Sequence, residues 1–264
     1  MGDPILGPKN DKENTILVNK RVLAAMRHGA WLWCVLLVSV AEARDGSPID
    51  RWGGSVGVTS DYVYRGVSLS DSRYAWQGSL FAGIGQHWSG GLWASTVENQ
   101  WGRGTPFEVS GYMAYAFEPA DDWNLRTAWS HYAYFGPPSQ LTYDYDELNA
   151  SIAYQSRWVL GLSWMPNAEG VRYSNGRVKS SAWAADFTIV QPVYESWSVT
   201  AGAGYYDVSG LYTTGYAYWH AGVTGTVGPF GFDLLYLGSD HHAEQIYGDS
   251  ITGSRFSAAL RWRF

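Results

Sequence analysis

Side chains able to do chemistry recur on one parity of short alternating segments: Asp61, Arg65, Gln77, Glu108, Asn124, Arg126, Glu147, Asn149, Asp186, His220, Asp233, Arg255 and Arg261. Acids and bases nearly balance among them. A strongly basic lining would favour anionic sugars or phosphate and a strongly acidic one cations, so a mixed set points to weak charge selection. Nucleophilic catalysis needs a nucleophile within hydrogen-bond reach of a base. Ser130 and His131 are adjacent, and on a strand they point to opposite faces. His220 and Thr224 share a face, but four strand residues span about 13 Å. Neither arrangement makes a catalytic pair, and no enzyme is expected. Asp240-His241-His242 with Glu244, and the acidic run Tyr143–Glu147, contain metal-ligand types, but each reads more simply as a solvated loop. There is no phosphate-binding glycine loop and no cysteine–histidine zinc pattern, so no metal or cofactor is expected.

The elements that must hold these groups are strands. The last nine residues place Phe256, Ala258, Leu260, Trp262 and Phe264 on one face and Ser257, Ala259, Arg261 and Arg263 on the other. This is the period of a strand between two environments. A hydrophobic last strand with a terminal aromatic resembles the closing strand of bacterial outer-membrane barrels. The resemblance implies that Phe256, Leu260, Trp262 and Phe264 carry the signal read by the barrel-assembly machinery.

Eleven further segments alternate in the same way: 55–69, 74–85, 92–98, 107–117, 123–134, 147–154, 158–164, 182–190, 197–206, 218–227 and 230–237. Connections after even segments are short (86–91, 118–122, 155–157, 191–196, 228–229), whereas 135–146, 165–181, 207–215 and 238–254 are long. Short turns at one end and long loops at the other mark a transmembrane antiparallel up-and-down β-barrel. A soluble sandwich has no reason to sort its loops so. The expected fold is therefore all-β, with about 12 strands. Trp123, Trp158, Trp164, Trp197, Phe230 and Phe264 fall at strand ends, where aromatic girdles belong.

The composition agrees. The 264 residues include 15 Trp, 19 Tyr and 31 Gly. Amphipathic aromatics favour a membrane–water interface. A net charge of −6 and a pI near 5.5 argue against nucleic acid. Residues 30–40 are apolar but too few to span as a helix; Arg27 precedes them and Ala41-Glu42-Ala43 follows, as in an export signal. The expected division is a signal peptide over residues 1–43, with a true start at Met26, and a barrel over 44–264. Cleavage would remove Cys34, the only cysteine.

Thr59-Ser60-Asp61-Tyr62-Val63-Tyr64-Arg65-Gly66-Val67-Ser68, then Gln77-Gly78 and Leu92-Trp93-Ala94-Ser95-Thr96-Val97, resemble the signature of the TorF family of porins. The specific motif covers about the first fifty residues after residue 43. The resemblance implies an outer-membrane barrel and a porin, and names no solute. On parity, Asp61 and Arg65 should sit in the first strand and face the lumen. Their partners would come from Gln77 or from the closing strand, where Arg255 and Arg261 can meet Asp61. The reading that follows is a porin-like channel for passive diffusion of small polar solutes in the outer membrane of a Gram-negative bacterium. Its termini would be periplasmic and its long loops would face outward, toward lipopolysaccharide. A closed structural or adhesive barrel acting through its loops is the alternative, ahead of a lipid-modifying enzyme at the rim.

Overall fold

The computed structural model describes residues 51–97, 107–136, 144–172 and 176–264. The expected export signal, with Met26, Cys34 and Ala43, lies outside them, as do residues 98–106, 137–143 and 173–175. The elements run β1 (Arg51–Thr59), β2 (Val63–Tyr64), β3 (Val67–Ser68), β4 (Ala75–Ile84), β5 (Trp88–Thr96), β6 (Phe107–Ala120) and β7 (Trp123–Phe135). They continue with β8 (Tyr145–Tyr154), β9 (Trp158–Arg172), β10 (Gly176–Tyr194), β11 (Trp197–Asp207), α1 (Ser209–Tyr212), β12 (Tyr216–Val227), β13 (Phe230–Ser239), α2 (His241–Tyr247) and β14 (Arg255–Arg263).

Twelve of these strands, β1 and β4 to β14, form a closed antiparallel barrel in chain order, with β14 returning to β1. The closing register pairs Ser55 with Arg263 through to Thr59 with Ala259. Gly54 exchanges backbone hydrogen bonds of 3.0 and 3.1 Å with Phe264. Closure gives the edge N–H and C=O groups partners, which is the condition for a sheet to sit in lipid.

Period-two alternation sorts the side chains. One parity is large and apolar and points away from the barrel: Leu80, Leu92, Met113, Leu162 and Leu234 are each more than half exposed. Aromatic pairs flank this band at both ends. Trp123 meets Tyr154 (4.8 Å between centroids) near the short turns, and Phe107 stacks on Phe135 (5.1 Å) near the long loops. The other parity is small or polar and buried, so the hydrophobic surface of this molecule faces outward.

Turns at one end are tight. Residues 85–87, 121–122, 155–157, 195–196 and 228–229 link successive strands, with positive φ at Gly85, Asp122, Gln155, Glu195 and Gly228. At the other end β9 and β10 extend well beyond the roughly 9–11 residues that cross a bilayer, so part of the expected loop 165–181 is a projecting hairpin. Its register shifts between Ser180 and Ala182. There α1 packs on it through Val208 and Leu211, and the ring of Tyr212 lies where a side chain at Gly170 would go.

Candidate functional site

The expected first strand, residues 55–69, is not one strand. β1 ends at Thr59, and residues 60–74 fold into the barrel as a loop carrying the two-stranded β2–β3 hairpin. Arg65 and Gly66 form its tip with φ of 49° and 78°, the signs of the primed turns that suit two-residue hairpins. Glycine is required at 66: a Cβ there would lie 2.6 Å from the carbonyl of Gly238.

Asp61 clasps the hairpin's base. Its carboxylate accepts from the hydroxyls of Ser68 (2.5 Å) and Ser70 (2.9 Å) and pairs with Arg255 of β14 (3.2 Å). Arg255 also donates to Ser72 (2.9 Å). The expected pairing of Asp61 across the seam therefore forms with Arg255. Arg261 pairs instead with Asp233 on β13, and Gln77 donates to Ser95 on β5.

At the tip, Arg65 reaches Glu147 on β8 (3.0 Å), which lies five strands from β1 one way round the wall and seven the other. The hairpin thus spans the lumen. Tyr64 donates to the same carboxylate (2.9 Å), and burial pushes its phenol well above the ordinary range, so it remains a donor. The Arg65 guanidinium lies 4.6 Å from the ring centroids of both Tyr64 and Tyr206, and 3.2 Å from the Met165 sulfur. The Ser239 hydroxyl donates to the Gly66 carbonyl (3.0 Å), and the Ser68 amide to the Ile251 carbonyl (2.8 Å). A guanidinium this buried is tolerated because charge, π-face and sulfur all meet it.

Of the remaining candidates, Glu108, Arg126, Asn149, His220 and Asp233 are buried. Glu108 is buried and accepts from Tyr62 (3.4 Å). Asp186 accepts from Tyr218. His220 lies 3.4 Å from Thr200, and Asn149 donates to Ser163 (2.9 Å). Arg126 is 3% exposed and stands in the half nearer the short turns. Sequence reasoning missed Tyr62, Tyr64, Tyr206 and Tyr218, which take up the lumen's charges. An excess of tyrosine suits a membrane–water interface, yet Tyr62, Tyr112, Tyr132, Tyr216 and Tyr218 are buried.

The loop motifs also resolve. In the acidic run, Asp146 is bound by His131 (3.1 Å), Trp129 (3.1 Å) and Asn167 (2.8 Å), while Glu147 faces the lumen. Asp240 caps α2 through the His242 amide (3.0 Å). Burial alone would raise the pKa of that carboxyl, but hydrogen bonds from the Ala217 amide and from His242 outweigh it and hold the group below its usual range. Among the described residues no cluster of His, Cys, Asp or Glu is set to hold a metal. Ser130 is buried and His131 exposed, as their adjacency required.

The wall is similar to two solved porins. The KdgM porin shares 6% identity at a TM-score of 0.51, covering 80% of this chain and 99% of its own. The NanC porin shares 13% identity at 0.51, covering 80% and 98%. KdgM in complex with disordered oligogalacturonate gives 0.52 at 5% identity, covering 81% and 99%. At these identities the likeness is one of fold. No curated protein matches the sequence. A family model described as "Bacterial protein of unknown function (Gcw_chp)" matches residues 42–263, and the chain belongs to that family.

Proposed function

We propose that the protein is an outer-membrane channel for passive diffusion of small polar solutes, narrowed at its long-loop end by the β2–β3 hairpin. The observation that carries this reading is a closed wall with an apolar, aromatic-bordered outside and a polar inside. Toward the short turns that inside is lined mostly by small residues, among them Gly57, Gly83, Ser151, Gly161 and Gly202. Twelve strands fall between small filled barrels and wide general porins. Asp61, Arg65, Gln77, Glu108, Arg126, Glu147, Asp186, His220, Asp233, Arg255 and Arg261 line the path, and their mixed charge makes selectivity weak. The short turns and both chain ends face the periplasm, the long loops face lipopolysaccharide, and the terminal aromatic strand is read by the assembly machinery. The fold shared with two barrels named porins supports this, as does the motif's resemblance to the TorF family.

The lumen-spanning hairpin favours a second reading, a closed barrel that works through its outer loops. One experiment separates them. The folded protein in planar bilayers should give small, discrete conductance steps. Folded protein that gives none would leave the closed barrel as the function.

A further inference from the structure

Every described carboxylate on the inward face of the barrel already has a partner. Asp61 is held by Arg255 and two serines, Glu147 by Arg65 and Tyr64, Asp233 by Arg261, Glu108 by Tyr62 and Asp186 by Tyr218. Arg126 does not. All three of its guanidinium nitrogens are buried, and none has a hydrogen-bond partner among the described residues. Its register neighbours, Ala116 on β6 and Ser151 on β8, are too short to supply a counter-charge. Asp186 lies on β10, three strands along the same rung and roughly 14 Å round the wall, where it overlies Gly161 and is turned toward Tyr218.

A buried guanidinium with five unused N–H donors is costly unless something satisfies it, and its planar fork matches an oxyanion. We propose that Arg126 is the centre of a binding site for a small oxyanion, a carboxylate or phosphate group carried by the solute, in the short-turn half of the lumen. The inference rests on the channel reading and deepens it. Solute anions would dwell at Arg126 after passing the hairpin, because the paired charges of the outer half offer them no free cation. The wall around it, Ala114, Ala116, Ala128 and Ser151, puts no competing carboxylate beside it.

The test uses the whole folded protein in detergent, with inorganic phosphate followed by phosphorus-31 line broadening and acetate by saturation transfer. Saturable binding of either anion is expected, and the stronger of the two tells which oxyanion the site prefers. Arg126→Gln should weaken it roughly tenfold or more, the loss of charge-assisted hydrogen bonds. Arg157→Gln, an equal charge change in a turn, should not. Ser151→Asp is the second variant: it supplies a carboxylate beside Arg126 and should quench anion binding without removing the arginine. Binding unchanged in both Arg126→Gln and Ser151→Asp overturns the proposal, as does a wild type that binds neither anion. Because binding is read without passage, a barrel that binds but does not conduct keeps the site and loses only the channel.

Discussion

The hairpin's hold on the far wall yields a sharp prediction at Glu147. Replacing it with alanine removes two hydrogen bonds to one carboxylate, from Arg65 (3.0 Å) and Tyr64 (2.9 Å), and leaves Arg65 charged in the lumen. Both partners of the ion pair are nearly inaccessible, at 4% and 5% exposure, so solvent screening gives little relief. Breaking such a pair costs about 3–5 kcal/mol. Opposing release are the Ser239–Gly66 and Ser68–Ile251 bonds and the Asp61 clasp, which Glu147→Ala leaves intact. Even the lower figure shifts the seated-to-released ratio of the hairpin by roughly 100-fold. Val67 is 5% exposed when the hairpin is seated, so the thiol of a Val67→Cys variant reports release directly. In the Glu147→Ala background, labelling of that thiol should accelerate by about two orders of magnitude, and bilayer conductance should rise. Replacing both members, Arg65→Met with Glu147→Leu, removes the stranded charge and should restore slow labelling, since apolar pairs substitute well for buried ions. If Glu147→Ala labels no faster than its parent, the ion pair does not hold the hairpin and the reasoning fails.

Three further outcomes follow from the wall and its loops. Removing Phe264 deletes the backbone bonds to Gly54 and the last outward aromatic, so less heat-modifiable, folded barrel should reach the membrane fraction. Leu234→Arg puts a charge on the lipid face near the middle of β13 and should cost about 2–4 kcal/mol in bilayer unfolding, whereas the same change at a residue facing water should not. The Asp240 carboxyl sits below its ordinary range when folded, so its cap of α2 is fully effective above the unfolded value of about 3.9 and is lost as pH falls through the folded one. Amide exchange of α2 should quicken only below that point, and Asp240→Asn should flatten the profile.

The wall was legible because a bilayer leaves a strand one pattern to adopt. Leu80, Met113, Leu160 and Leu234 each had to alternate with something small or polar, and turn lengths separated the two ends. The same parity puts Glu108, Arg126 and Asp233 on one face, and all three are buried. The hairpin was hidden by the same rule. Val58, Tyr62 and Tyr64 keep the parity of β1, interrupted only at Ser60, and Arg65-Gly66 is a less obvious turn than Asn-Gly. Two signals stood against one strand. Residues 55–69 exceed the crossing length, and Ser68 and Ser70 follow the glycine turn as hydroxyl partners for Asp61. The β9–β10 projection was missed for the opposite reason. Pro166 and Asn167 read as loop, but Pro166 stands exposed close to the register shift, a place where a strand tolerates proline.

The seam between β1 and β14 links the β2–β3 hairpin to the timing of assembly. Regular pairing of β1 with β14 stops at Thr59. Past that point the inward-turning segment itself continues the seam: the Ser60 amide donates to the Ala258 carbonyl (2.8 Å), and the Ser257 hydroxyl to the Asp61 carbonyl (2.8 Å). These bonds join residues nearly two hundred positions apart, so they form only when the last strand arrives. Until then Asp61 lacks Arg255 and the hairpin lacks its clamp. Sealing the cylinder and clamping the hairpin inside it are one late event, carried out by the same strand.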